Sequence, residues 1–121
     1  MTKEPKVINV LGTDIRILFR KEKDDPKLES CVGYFDSSKG WIIVKILEPD
    51  AMSLGNLDKY QKEILRHEIV HAFLYESGLD ACSNQVTNWA SNEEMVDWFA
   101  RMGERIYRAW KDAGALSVEQ I

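Results

Sequence analysis

With 121 residues, 45% hydrophobic and 30% charged, the chain has the make-up of one globular domain spanning residues 1–121, large enough to bury a core without disulfide or metal staples. A net charge of −4 without any run of Lys and Arg argues against a nucleic acid as partner, because a phosphate backbone needs a concentrated basic face. No segment approaches the roughly 18 apolar residues of a membrane helix, and the charged opening Met1-Thr2-Lys3-Glu4-Pro5-Lys6 leads into no apolar signal region. The expectation is a soluble cytoplasmic protein with no membrane partner, in which Cys31 and Cys82 are free thiols that pack as small apolar side chains.

Strand signals fill the first half. Lys6 to Leu11 reads as a first strand closed by Gly12. Asp14 to Arg20 alternates, with Ile15, Ile17 and Phe19 on one side, and reads as a half-buried second strand. Arg20-Lys21-Glu22-Lys23-Asp24-Asp25 mixes both signs and reads as a solvated turn, broken by Pro26. Cys31 to Phe35 and Trp41 to Leu47 form a third and a fourth strand, joined as a hairpin by the turn Asp36-Ser37-Ser38-Lys39-Gly40. Helical periodicity then takes over. Asn56 or Asp58 caps a helix that runs to about Ser77, with Gly78 as its C-terminal stop. Asp80 to Ala90 is a connector with room for a helical turn. Ser91 or Asn92 caps a second long helix, to about Ala113. Strands first and helices second give an α+β fold: a small antiparallel or mixed sheet of three to four strands, packed on a central helix and a second long C-terminal helix.

The only two histidines lie in one pentapeptide, His67-Glu68-Ile69-Val70-His71. Four residues apart on a helix, they stand one turn above each other on one face and can reach a single Zn²⁺. Glu68 sits about 100° round the helix, where it can serve as the base that takes a proton from metal-bound water. Tyr60, Ile64 and Leu74 share the histidine face, and Ile69, Val70, Ala72 and Phe73 cover most of the rest. A helix so apolar belongs at the centre of a domain, where imidazoles need partners.

A catalytic zinc takes three protein ligands and keeps one position open. The second helix opens with Glu93, Glu94 and Asp97, and its apolar face is read as Val96, Phe99, Met102, Gly103, Ile106, Tyr107 and Trp110. Glu93 lies at the border of that face and is the better inward ligand. Glu94 falls in the polar arc with Arg101 and Arg105. Asp97, one turn beyond Glu93, suits an acceptor for a ligand's free N–H. An acidic first turn also answers the helix dipole without any metal.

His67-Glu68-x-x-His71 followed by Asn92-Glu93-x-x-Val96-Asp97 resembles the gluzincin pattern of zinc metallopeptidases, HExxH with a later Asn-Glu-x-x-x-Asp. Glu93 to Ala100 is similar to the helix after the metal motif in ImmA/IrrE-like peptidases. Size and layout resemble minimal gluzincins and the small metallopeptidases of phage and mobile elements. The resemblance covers about residues 65–100. It implies His67, His71 and Glu93 as zinc ligands, Asp97 as support for the first histidine, and one specific regulatory protein as substrate. The chain departs from the pattern at Val96, where gluzincins often have Ser, and at Val70, where ImmA-like proteins often have Gly. It also has no third histidine to stabilise an oxyanion.

The resulting expectation is hydrolysis of a peptide laid along Trp41 to Ile46 at an exposed sheet edge, with Trp41 bordering the cleft. Tyr75, Tyr107 and Arg101 are the candidate oxyanion or substrate contacts. Two rivals remain open at this level. One is a deformylase-like metal hydrolase with Cys31 in place of the third carboxylate. The other is a non-enzymatic zinc-stabilised module, whose aromatic second helix (Trp89, Trp98, Phe99, Tyr107, Trp110) would serve a partner or a homodimer.

Overall fold

A computed structural model describes residues 5–49, 56–82 and 93–117 of the chain. Strands β1 (Lys6–Val10) and β2 (Thr13–Arg20) form an antiparallel hairpin, in register from Lys6↔Ile17 to Val10↔Thr13. Its turn, Leu11-Gly12, has φ of 52° and 94°, the mirror-image geometry whose twist suits a two-residue hairpin. The Asn9 side chain accepts the Gly12 N–H at 3.0 Å and fixes that turn. Strands β3 (Gly33–Asp36) and β4 (Trp41–Lys45) form the second hairpin, as the sequence predicts.

The two hairpins join along one parallel seam, β2 against β4, from Arg16↔Trp41 to Arg20↔Lys45. The sheet order is therefore β1-β2-β4-β3. This overturns the expectation of an exposed edge along Trp41 to Ile46: β4 is paired on both sides, and the edge strands are β1 and β3. Burial explains why. Ile42, Ile43 and Val44 are all buried, so β4 is covered on both faces. A continuous apolar run marks such an interior strand, whereas an edge strand shows alternation.

Helix α1 (Leu57–Glu76) lies against β3 and β4, and α3 (Glu93–Asp112) packs on α1 and β1, with the short α2 (Leu79–Cys82) between them. Asn56 caps α1 by accepting the Lys59 N–H at 3.0 Å, and Gly78, at φ 83°, reverses the chain just past its end. Residues 83–92, including the expected caps Ser91 and Asn92, lie outside the described residues. Arg66 donates to the Ala115 carbonyl at 2.9 Å, and the Trp98 indole donates to Ser77 Oγ at 3.2 Å. These two ties join the middle of α1 to the end of α3, and the end of α1 to the start of α3, so the helices run antiparallel. The core is one cluster: Ile8, Val10, Ile15, Ile17, Ile42 and Val44 from the sheet, Ile64, Leu65, Ile69, Ala72 and Phe73 from α1, and Ile106, Ala109, Ala113 and Ala115 from the C-terminal part.

Two sequence expectations change here. The buried line of α3 runs through Ile106, Ala109 and Ala113, about a quarter turn from the line Phe99-Gly103-Tyr107. Phe99 and Tyr107 are 45% and 43% exposed, while Trp98 and Trp110 pack against the core. The segment 20–29 is also more than a solvated turn. It forms two 3-10 turns, Glu22–Asp24 and Pro26–Glu29, and buries Asp25 and Leu28. Asp25 accepts hydrogen bonds from the Tyr34 hydroxyl, the Lys27 N–H and Arg20 Nη1. The Tyr34 bond, first among these causes, holds the Asp25 carboxyl below the usual carboxylate range. Burial, and then the bond to Asp25, push the Tyr34 phenol up to about 12. The segment 20–29 is thus pinned to edge strand β3 through Asp25 and Tyr34.

Candidate functional site

Helix α1 carries the site because its own periodicity stacks His67, His71 and Tyr75 one turn apart. The three are exposed, and Glu68, turned toward the sheet, is buried at 6% exposure. Nε2 of His67 and Nε2 of His71 lie 3.1 Å apart, with ring centroids 4.8 Å apart and planes at 70°. Two nitrogens bound at about 2.05 Å to one zinc, near the tetrahedral angle, are separated by about 3.3 Å. The pair therefore fits the ion that the motif implies. The same spacing suits an N–H···N bond in one tautomer, so the rings are set to share either a proton or a metal. Burial pushes the Glu68 carboxyl above the usual carboxylate range, and the two imidazoles beside it act in the opposite direction.

Strand β3 supplies the opposite wall. A cleft of about 420 Å³ is lined by Gly33, Tyr34, Phe35 and Ser37 from the β3 side, His67, Glu68, His71 and Tyr75 from α1, and Asp80 from α2. Gly33 makes the close approach feasible. A Cβ there would stand 2.8 Å from Ile64 Cγ2, 3.2 Å from the Ile43 carbonyl oxygen and 3.5 Å from Glu68 Cγ. A side chain there would overpack against Ile64 and crowd Glu68. The Lys45 N–H donates to the Val32 carbonyl at 2.9 Å, so Val32, Tyr34 and Asp36 turn their main-chain groups toward β4. Gly33 and Phe35 then turn theirs outward, to the unpaired side of the sheet. Phe35 and Gly33 share the α1 face, where the Phe35 ring meets the Tyr75 ring edge-on at 5.8 Å.

Of the residues singled out from sequence, the cleft brings together His67, Glu68, His71 and Tyr75. Trp41 does not line it. Its ring is flanked instead by the Arg20 guanidinium at 5.5 Å and the Lys39 ammonium at 4.7 Å. Glu93, Asp97, Arg101 and Tyr107 are exposed on α3 and do not line it either. Among the described residues, no third His, Cys, Asp or Glu completes a three-ligand group. Cys31 is likewise outside the cleft, its thiol donating to the Lys27 carbonyl at 3.4 Å. Sequence reasoning missed Gly33, Phe35 and Asp80. The one available signal was Gly78, which ends α1 and folds the next residues back toward the histidine face.

No family model matches the chain, and no curated protein or solved structure matches it either.

Proposed function

We propose that the protein is a zinc-dependent metallopeptidase of the HExxH type. The observation that carries this reading is the convergence of two exposed imidazole nitrogens, 3.1 Å apart, beside one buried carboxylate and opposite an edge strand. His67 and His71 hold the ion. By resemblance to gluzincins, Glu93 would be the third ligand and Asp97 would support His67. Glu93 is exposed outside the cleft, so its ligation would require the first turn of α3 to dock against the histidines. A zinc ion held there would supply Lewis acidity toward a carbonyl and a water.

The chain's own residues do the rest. Glu68 takes the proton from the attacking water and delivers it to the leaving amine, which needs a carboxylate that can be both base and acid. The outward main-chain groups of Gly33 and Phe35 pair with an extended peptide, adding a strand to the sheet. Tyr75, whose ring stands one turn past His71, offers its hydroxyl to the developing oxyanion. One specific protein as substrate follows the resemblance to ImmA/IrrE-like peptidases. The thiol-ligand rival has less support, because Cys31 is engaged with Lys27 and away from the histidines.

The test is zinc content together with turnover. Purified protein should take up one zinc per chain and cleave peptides, and Glu68→Gln should keep the zinc and lose the cleavage. Protein that takes up no zinc, or a Glu68→Gln variant as active as the wild type, would end this reading.

A further inference from the structure

The cleft has one apolar feature, a pair of rings in edge-on contact, of which the hydrolytic chemistry uses only the Tyr75 hydroxyl. Tyr75 is 47% exposed, a large share for an aromatic ring, and its one ring partner among the described residues is Phe35. The two rings come from different elements, β3 and α1, and both line the cleft that holds His67, Glu68 and His71. A peptide added to β3 would place its side chains alternately toward α1 and away from it. The residue in register with Phe35 shares the Phe35 side of the sheet, so its side chain would lie on the Phe35–Tyr75 ledge. The residue in register with Gly33 would lie beside Glu68, two positions along the same peptide. There the missing Cβ leaves the neighbouring α1 side chains in its place.

We infer that the Phe35–Tyr75 ring pair is the specificity surface of this cleft and selects extended peptide segments with a large apolar side chain two positions from the residue over Gly33. The inference rests on the peptidase reading and adds the substrate class. The ledge offers ring faces and edges, with no charged group of its own, so Leu, Met and Phe gain contact there and Asp and Gly do not. Pocket contacts of this size discriminate between side chains by about 10- to 200-fold.

The experiment is cleavage-site mapping of a random peptide library, varied on both sides of the cut, by the zinc-loaded full chain. Leu, Met or Phe should be enriched about tenfold or more over Asp and Gly at one position. Tyr75→Ala should bring that enrichment close to unity, while Tyr75→Phe, which keeps the ring and removes only the hydroxyl, should preserve it. Tyr75 is exposed, so these variants test the ledge without disturbing the core. Binding of a Leu-containing peptide and its Asp counterpart to zinc-loaded Glu68→Gln protein, read by calorimetry, reports the same preference without turnover. Cleavage whose preferences are untouched by Tyr75→Ala overturns this inference and leaves the peptidase reading intact. Tyr75-dependent binding of the Leu peptide, with no cleavage by wild type, does the reverse. Failure of Glu68→Gln to bind either peptide, with no wild-type cleavage, sinks both.

Discussion

Helices α1 and α3 are each twenty residues long, yet they are built on opposite plans. Helix α1 packs against both the sheet and α3, buries Glu68 among Ile64, Leu65, Ile69, Ala72 and Phe73, and leaves His67, His71 and Tyr75 on one exposed line. Helix α3 is strongly two-sided: Ile106, Ala109 and Ala113 face the core and a charged surface faces away. The contrast shows where a site can be specified cheaply. Inside one helix, spacings of one and four residues fix the mutual placement of His67, Glu68 and His71 regardless of the rest of the fold. Between two helices, the placement of Glu93 against those residues depends on how the first turn of α3 docks.

The largest effect should come from Glu68 on α1. Glu68→Gln should lower peptide turnover by about a thousandfold, within the range of general acid–base catalysis, with zinc content unchanged. Metal binding then tests whether α1 acts alone. His67→Ala and His71→Ala should each abolish zinc uptake. Glu93→Ala should weaken it by more than about 100-fold, beyond the usual loss for an outer partner, and Asp97→Ala by about 10-fold. Competition titration with a chelator measures both; unchanged affinity in Glu93→Ala would confine the site to α1 and the residues near it.

Two smaller effects probe how α1 is held to β3. Gly33→Ala should destabilise the fold by about 1–3 kcal/mol through overpacking against Ile64, read from urea unfolding. The cost should shrink in an Ile64→Ala background, because the clashing atom is gone. Tyr34→Phe should cost about 2 kcal/mol by leaving Asp25 short of a hydrogen bond to its charged form. The pH dependence has a definite sign at both ends. The Asp25 pKa is depressed, so its stabilisation is present above the ordinary value of 3.8 and fades as pH falls through the lower folded value. The Tyr34 pKa is raised, so its contribution is complete below 10.0 and is lost as pH rises toward about 12. Tyr34→Phe should flatten both limbs.

The smallest effect, with the opposite sign, lies on α3. Gly103 is mid-helix, and a Cβ there would meet nothing within 4 Å. Gly103→Ala should therefore stabilise the chain by up to about 1 kcal/mol. A change in sedimentation on Gly103→Ala would point to a contact between copies on the surface bearing Phe99 and Tyr107.

Most of the fold was legible because its signals are local. Alternation at Ile15 and Ile17, the Asn56 cap and the Gly78 stop each act within a few residues, and the strands and helices they predict are present. Strand order was not legible in that way. Both hairpins are evident from sequence, but which strands meet is a tertiary matter, and the buried run Ile42-Ile43-Val44 marks a strand without saying which strands flank it. Asp25 was hidden because charged neighbours on both sides imitate a solvated loop. The buried line of α3 was misjudged because Phe99 and Tyr107 are as apolar as the residues that do face inward. In the site, the helical half was readable and the strand half was not: the value of Gly33 lies in what approaches it, which no spacing along the chain records.

The parallel seam between β2 and β4 has a consequence for the order in which the molecule assembles. Each hairpin can close on its own, but the seam forms only after everything between Arg20 and Trp41 has been looped back across the sheet, an entropic cost that slows folding. The wall opposite the histidines hangs on that late event, since β3 is attached to the rest of the sheet solely through β4. Newly made chains should thus acquire a helical signal well before they acquire a competent cleft.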